Sequence, residues 1–438
     1  MKTTKLILIQ TIAVFITALG VLPACNKQKK VDENFLLTEK LAQLDGVDFS
    51  TEQADGPYKQ VYKLMVEQPL DHKNPDGDKF KQKVYLSHLD LSKPVVLSIN
   101  GYNVNRNRIS ELAKLLDANQ VYVEHRFFGE SKPENYDWNY LNIEQASADY
   151  HHIVELLKKI YHGKWVSTGI SKGGQTTIFY RYFYPNDVAA SVPYVAPLNF
   201  SAEEPRIFDF LNKVDSKECR DKIFAFQKMF LANRDKLMPL FKKNAEEKGY
   251  TFNLLGSIDL AYEYSILEYP FAFWQWQFVS CNEIPETMNN PQKIIEHLNK
   301  VDCISFFSDE SVEHYRPFFY QGLTEIGMYT YDPKPFGDLI KYAHNPNFKF
   351  TMPKGFENAP FNDTLMHSIN NWLQNDSKNF VFIYGSYDPW YAPGVRLIDG
   401  KSNNLMMVKE GGSHRTRIHS FTEEQQKQVL DSLNNWLK

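Results

Sequence analysis

The sequence predicts an α/β chain: a mostly parallel sheet covered by helices on both faces, with a mainly helical block inserted into it. Three observations carry this. Strand-length apolar runs alternate with helical periodicity up to about residue 200, residues 203–373 are long, helical and poor in strand character, and strand character returns at 380–384 before a last helix. With 438 residues, 43% of them hydrophobic, the chain can bury a large core, which excludes disordered, collagen-like and disulfide-stapled classes.

At the N-terminus, Lys2 and Lys5 precede an apolar run at 6–22, the pattern of an export signal over 1–24. That run is at the short limit of the ~17–25 residues needed to span a bilayer. Leu22-Pro23-Ala24-Cys25 resembles a bacterial lipobox, in which Cys25 is lipidated and becomes the mature N-terminus; cleaved soluble secretion is the alternative. Residues 25–50 are then a lipidated end and tether. The expectation is an exported bacterial lipoprotein, periplasmic or associated with the outer membrane, and attached to membrane by its lipid alone.

Strands are expected at 61–66, 84–89, 94–99 and 121–124, opening the first part of an α/β domain over 51–202. A helix at 143–160 follows: Ile143, Ala146, Tyr150, Ile153, Leu157 and Ile160 step by three and four, and Asn142 with Gln145 has capping-box spacing. A short strand at 165–168 runs into Gly169, and 175–184 suits a helix. The helical block, 203–373, holds a charged run at 233–248 and an aromatic block at 269–278. Residues 374–438 complete the α/β domain, with strands at 380–384 and 405–408. A last helix there is capped by Thr422 and Gln425 and is apolar along Val429, Leu430, Leu433, Trp436 and Leu437.

Charge and cysteines narrow the function classes. Lys plus Arg is 49 against 53 Asp plus Glu, a net −4, so there is no basic footprint for a nucleic-acid partner. Besides Cys25 there are Cys219, Cys281 and Cys303, enough for one bridge and one free thiol in any of three pairings. No Cys/His spacing suits a zinc site, and neither metal nor cofactor is expected.

Gly169-Ile170-Ser171-Lys172-Gly173 fits G-x-S-x-G between a strand and a helix. That is the requirement of a nucleophile elbow, a turn so tight that only small neighbours fit and the Ser171 hydroxyl stands exposed. A serine hydroxyl is a weak nucleophile until an imidazole, oriented by a carboxylate, takes its proton. In such folds the order is Ser, Asp or Glu, then His. Asp388, after the strand at 380–384, and His414, in Gly411-Gly412-Ser413-His414, occupy the second and third places. His419 is the rival base, while His151 and His152 lie inside a helix. An oxyanion hole needs backbone N–H groups: one from Lys172, the other from Gly101 or Tyr102 in the loop after 94–99. The Lys172 side chain is assigned to solvent or a salt bridge.

Gln68-Pro69-Leu70-Asp71-His72-Lys73-Asn74-Pro75, Val123-Glu124-His125-Arg126-Phe127-Phe128-Gly129-Glu130-Ser131, Gly169-Ile170-Ser171-Lys172-Gly173-Gly174, Tyr387-Asp388-Pro389-Trp390 and Gly412-Ser413-His414 occur in that order. Together they resemble the secreted bacterial prolyl tri- and tetrapeptidyl aminopeptidase family, itself similar to the lysosomal prolyl carboxypeptidase and dipeptidyl peptidase group. The resemblance runs from about residue 55 to the C-terminus. It implies an α/β-hydrolase fold with a helical cap between the Ser and Asp strands, and release of short peptides from a free N-terminus, often after proline. It implies Ser171 as nucleophile, Asp388 as orienter and His414 as base. Such an enzyme takes peptide substrates and must anchor their α-ammonium. Glu263 and Glu268, bracketing the aromatic run 262–276, are candidates, as is Glu124 below the cap. Trp274, Trp276 and Trp390 are candidate walls for a proline ring. The competing readings are an esterase or lipase with the same triad, and a non-catalytic peptide-binding surface lipoprotein. The sequence sets no oligomeric state.

Overall fold

The computed structural model describes residues 33–438 except Asp55, Asn135 and Tyr136. The signal at 1–24 and the lipidation site Cys25 lie outside the described residues. Helix α1 (Glu33–Ala42) leads into strands β1 (Val47–Glu52), β2 (Gln60–Pro69), β3 (Lys79–His88) and β4 (Val95–Ile99). After α2 (Glu111–Leu115) come β5 (Asn119–Val123), α3 (Ile143–Lys158), β6 (Trp165–Ile170), α4 (Lys172–Phe183) and β7 (Ala190–Tyr194). The nine strands among the described residues form one sheet in the order β1-β2-β3-β5-β4-β6-β7-β8-β9, where β8 is Val381–Gly385 and β9 is Leu405–Lys409. β1, β2 and β3 run antiparallel, and β3 is antiparallel to β5; from β5 to β9 every pairing is parallel. This is the α/β-hydrolase arrangement.

Parallel strands covered on both faces read as continuous apolar runs, and β4, β7 and β8 are buried at all five positions. On one face, Tyr150, Ile153 and Leu157 of α3 pack with Leu37 and Leu41 of α1 over Leu64, Leu86 and Val121. On the other, Leu112 of α2 and Val429 and Leu433 of α12 (Glu423–Trp436) cover Val96, Val166 and Val192. Residues 33–50 are therefore not a tether. Leu37 and Leu41 are fully buried, which contributes roughly 1.5–3 kcal/mol each, and β1 pairs with β2 along its whole length.

Between β7 and β8 lie α5 (Arg206–Leu211), α6 (Lys217–Ala232), α7 (Arg234–Lys248), α8 (Ile258–Trp276), α9 (Pro291–Val301), α10 (Asp309–Gln321) and α11 (Thr364–Asn375). A separate core, including Phe226, Phe241, Tyr262, Tyr269 and Ile294, holds α6 to α9 together as a cap over the sheet. Cys219 at the start of α6 is joined to Cys281 after α8, and Cys303 is free and buried. Helix α11 does not belong to the cap, although it falls largely within 203–373. Met366, Ile369 and Leu373 pack against Ile178 and Phe179 of α4 and Phe382 of β8, so the helix covers the sheet. No helix among the described residues is long and apolar enough to cross a membrane.

Candidate active site

Every loop that builds the site leaves the C-terminal end of a parallel strand. β6 ends at Ile170, and Ser171 caps α4 with φ 57° and ψ −123°, a conformation that costs a non-glycine residue about 1–3 kcal/mol. The Ser171 N–H donates to Tyr194 O at 2.9 Å, which pins the turn onto β7. A Cβ added at Gly169 would overlap the Gly173 carbonyl, and one at Gly173 would overlap the Ile99 carbonyl. The glycines of the motif are there because two backbones meet.

Asp388 follows β8. One of its oxygens caps the next turn, accepting the Trp390 N–H at 3.1 Å, and the other lies 2.6 Å from His414 Nδ1. Both residues are buried. The His414 loop follows β9 and lies on Gly385, where any Cβ would meet the Gly412 and Ser413 backbone. Its outer side is held by the cap: the His414 N–H donates to Gln275 O of α8 at 2.9 Å, and the Trp276 ring stands edge-on to the imidazole at 5.5 Å. Ser171 and His414 line a cleft of about 740 Å³ between sheet and cap. His419 is elsewhere, exposed and bonded to Glu111 at 2.6 Å, and His151 and His152 bond Asp187 and Gln68.

The expected oxyanion donors converge at the cleft floor. Lys172 is the first residue of α4, so its N–H has no partner within the helix. Gly101 lies so close to Lys172 and Gly173 that no side chain fits there, and Tyr102 beside it lines the cleft. The Tyr102 phenol lies on the same cleft wall as Ser171, a proximity that sequence spacing did not announce. Burial, helped by the neighbouring Tyr315, pushes that phenol well above its usual range.

The Lys172 side chain is neither solvated nor in a salt bridge among the described residues. It turns inward, buried, with its amine 5.6 and 6.0 Å from the centroids of Phe128 and Tyr102. Burial pushes the amine well below the usual lysine range. The opposing carboxyl is Glu325, in the π-turn Gly322–Ile326, and burial raises it to about 7.

The six substrate-binding candidates divide. Glu124 is buried away from the cleft, where it accepts the Val104, Glu130 and Ser131 N–H groups and pairs with Lys83 at 3.0 Å. It fixes loops and is not open to a ligand. Glu263 pairs with Arg234 at 2.8 Å and accepts the N–H groups of Lys341, Tyr342 and Ala343. Trp274 packs edge-on to Tyr387 at 5.5 Å and lines a separate cavity. Helical period explains both corrections: Glu263, Leu267, Pro270 and Trp274 share one face of α8, whereas Glu268, Phe271, Ala272 and Gln275 share the face that lines the cleft. Glu268, Trp276 and Trp390 do line the cleft.

Residues 29–437 match the family model for PS-10 peptidase S37. The chain is similar to the prolyl tri/tetrapeptidyl aminopeptidase of Streptomyces mobaraensis, 32% identical over 408 residues that cover 91% of this chain and 84% of that one. It is also similar to the lysosomal Pro-X carboxypeptidase of Bos taurus, 30% identical over 371 residues, 71% of each chain. Among solved structures it is similar to a proline iminopeptidase of Mycobacterium smegmatis, with 12% identity and a TM-score of 0.38 over 81% of this chain and 96% of that one.

Proposed function

The chain belongs to the PS-10 peptidase S37 family, and we propose that it is an exopeptidase releasing tri- and tetrapeptides from a free N-terminus, with proline preferred at the cut. It is a serine-type peptidase, and its substrates are peptides. The observation that carries the site assignment is the buried 2.6 Å pair of Asp388 and His414 in the cleft that Ser171 lines.

In the mechanism this supports, Asp388 holds the His414 Nδ1 proton, which leaves Nε2 as the base for the Ser171 hydroxyl. The serine oxygen attacks the scissile carbonyl. The Lys172 N–H and the Gly101/Tyr102 loop stabilise the negative oxygen, an interaction worth about 3–4 kcal/mol per donor in comparable sites. His414 returns the proton to the leaving amine, and water, deprotonated by the same imidazole, releases the acyl group. Peptide length and proline preference rest on the Streptomyces relative's name and on the aromatic cleft wall. There Trp390 and Trp276 offer flat apolar surface suited to a pyrrolidine ring.

We also propose export through the signal at 1–24 and anchoring by a lipid on Cys25; the lysines before the apolar run and the lipobox support this reading.

Mass spectrometry of products from a mixed peptide library, offered with free and with acetylated N-termini, tests the assignment. Free peptides should yield three- and four-residue N-terminal fragments ending in proline. Internal cuts, or equal cleavage of acetylated peptides, would overturn it.

A further inference from the structure

We propose that Glu268, set in an aromatic collar on the cap side of the cleft, is the receptor for the substrate's primary ammonium, and that it gives up its own proton when that ammonium arrives. This rests on the exopeptidase reading above and names the group that makes a free N-terminus necessary.

Two glutamates of one helix differ in their partners. Glu263 and Glu268 are both buried on α8. Glu263 is saturated, by one guanidinium and three backbone N–H groups. Glu268 receives only phenols: Tyr329 donates at 2.9 and 3.1 Å to its two oxygens and Tyr331 at 2.7 Å. A carboxylate has about four acceptor positions, so lone pairs are left over, and no cation lies within ion-pair distance among the described residues. Glu268 nonetheless lines the cleft together with Ser171.

Its surroundings suit a small organic cation. The Phe271 and Tyr329 rings are stacked at 3.9 Å, and Trp390 stands edge-on to them at 5.3 and 5.4 Å. Aromatic surface around a carboxylate is the chemistry that accepts an ammonium while excluding bulk water. The titratable groups facing Glu268 are Tyr329 and Tyr331 beyond the π-turn, and Asp302 and Cys303 at the end of α9; none is basic. Burial pushes the carboxyl up to about 8, opposed by the two phenols and assisted by Asp302.

In the empty cleft at neutral pH the carboxyl therefore keeps its proton, and no net charge is buried. When R–NH3+ enters, the carboxyl proton leaves to solvent and an ammonium–carboxylate pair remains, again without net buried charge. An acetylated terminus has no charge to exchange. The kcat/KM for free peptides should rise toward pH ~8 as the carboxyl ionises, then fall as the peptide α-amino group, with a pKa of about 7.7–8.0, loses its proton.

The experiment measures kcat/KM for one peptide with a free and with an acetylated N-terminus, across pH, in wild type and in Glu268→Gln. Wild type should favour the free form by about 100-fold or more, and the ratio should fall toward one in Glu268→Gln, the effect residing mainly in KM. The limb that rises toward pH ~8 should vanish with it. Tyr331→Phe removes a donor that lowers the carboxyl pKa, so it should move that limb to higher pH, which a merely structural role would not do. A free-to-acetylated ratio that survives in Glu268→Gln, or a variant that loses both substrates equally, would overturn the assignment. A ratio near one in wild type would instead overturn the exopeptidase reading beneath it.

Discussion

Ser171 is held at a positive φ by three glycine contacts and one hydrogen bond to β7, so the nucleophile's position is set by backbone rather than by its own side chain. Replacing the hydroxyl or the base should therefore leave the fold in place. Ser171→Ala and His414→Ala should each lower kcat by several orders of magnitude, roughly as in other triads, with the far-UV circular dichroism of the folded protein retained. Labelling of the protein by a fluorophosphonate should disappear in Ser171→Ala; labelling that persisted would place the nucleophile elsewhere. These residues were legible because each follows a strand and keeps local company, glycines around Ser171 and before His414. Tyr102's place beside Ser171 and Glu268's phenols were not legible, because they bring together residues dozens of positions apart. No spacing rule brings Tyr329 to Glu268, 61 residues earlier.

Helix α8 is apolar on nearly every side because it is enclosed, which erased the periodicity that would have told its two glutamates apart. Strand β7 carries no clear strand signal in the sequence because Pro193 interrupts its run, and β1 carries none because its sequence is polar and its positions mostly exposed. The character of α11 as a helix was plain, but periodicity does not say which layer a helix joins. For α8 the structure separates a glutamate saturated by internal partners from one that lines the cleft. Arg234→Ala should leave Glu263 buried without its cation, costing about 3–5 kcal/mol and lowering Tm, with a free-to-acetylated substrate ratio like that of wild type. Urea unfolding monitored by far-UV circular dichroism would measure the loss, and a change below about 1 kcal/mol would show the pair to be dispensable.

At the scale of the molecule, two segments of α/β domain hold Ser171, Asp388 and His414, and the cap between them closes the cleft, whose lining comes from both. The layered sheet was readable from alternation alone, whereas the cap's own packing was not, since its core is assembled from helices of similar composition. The Cys219–Cys281 bridge closes a loop with a sequence separation of 62, and by chain entropy such a link stabilises by about 4 kcal/mol. Cys281→Ser should therefore inactivate the enzyme at a lower temperature than wild type. If cap and sheet melt separately, peptidase activity will disappear while most far-UV signal persists; coincident loss would show one cooperative unit.

The hydrogen bond from the His414 N–H to Gln275 O also bears on when this protein can first act. During synthesis the serine elbow emerges early, the cap next, and the histidine loop near the end of the chain. That loop is seated only once α8 is already in place to receive it. A nascent chain therefore carries Ser171 without an aligned His414, and peptide cleavage begins only when the last segment has docked.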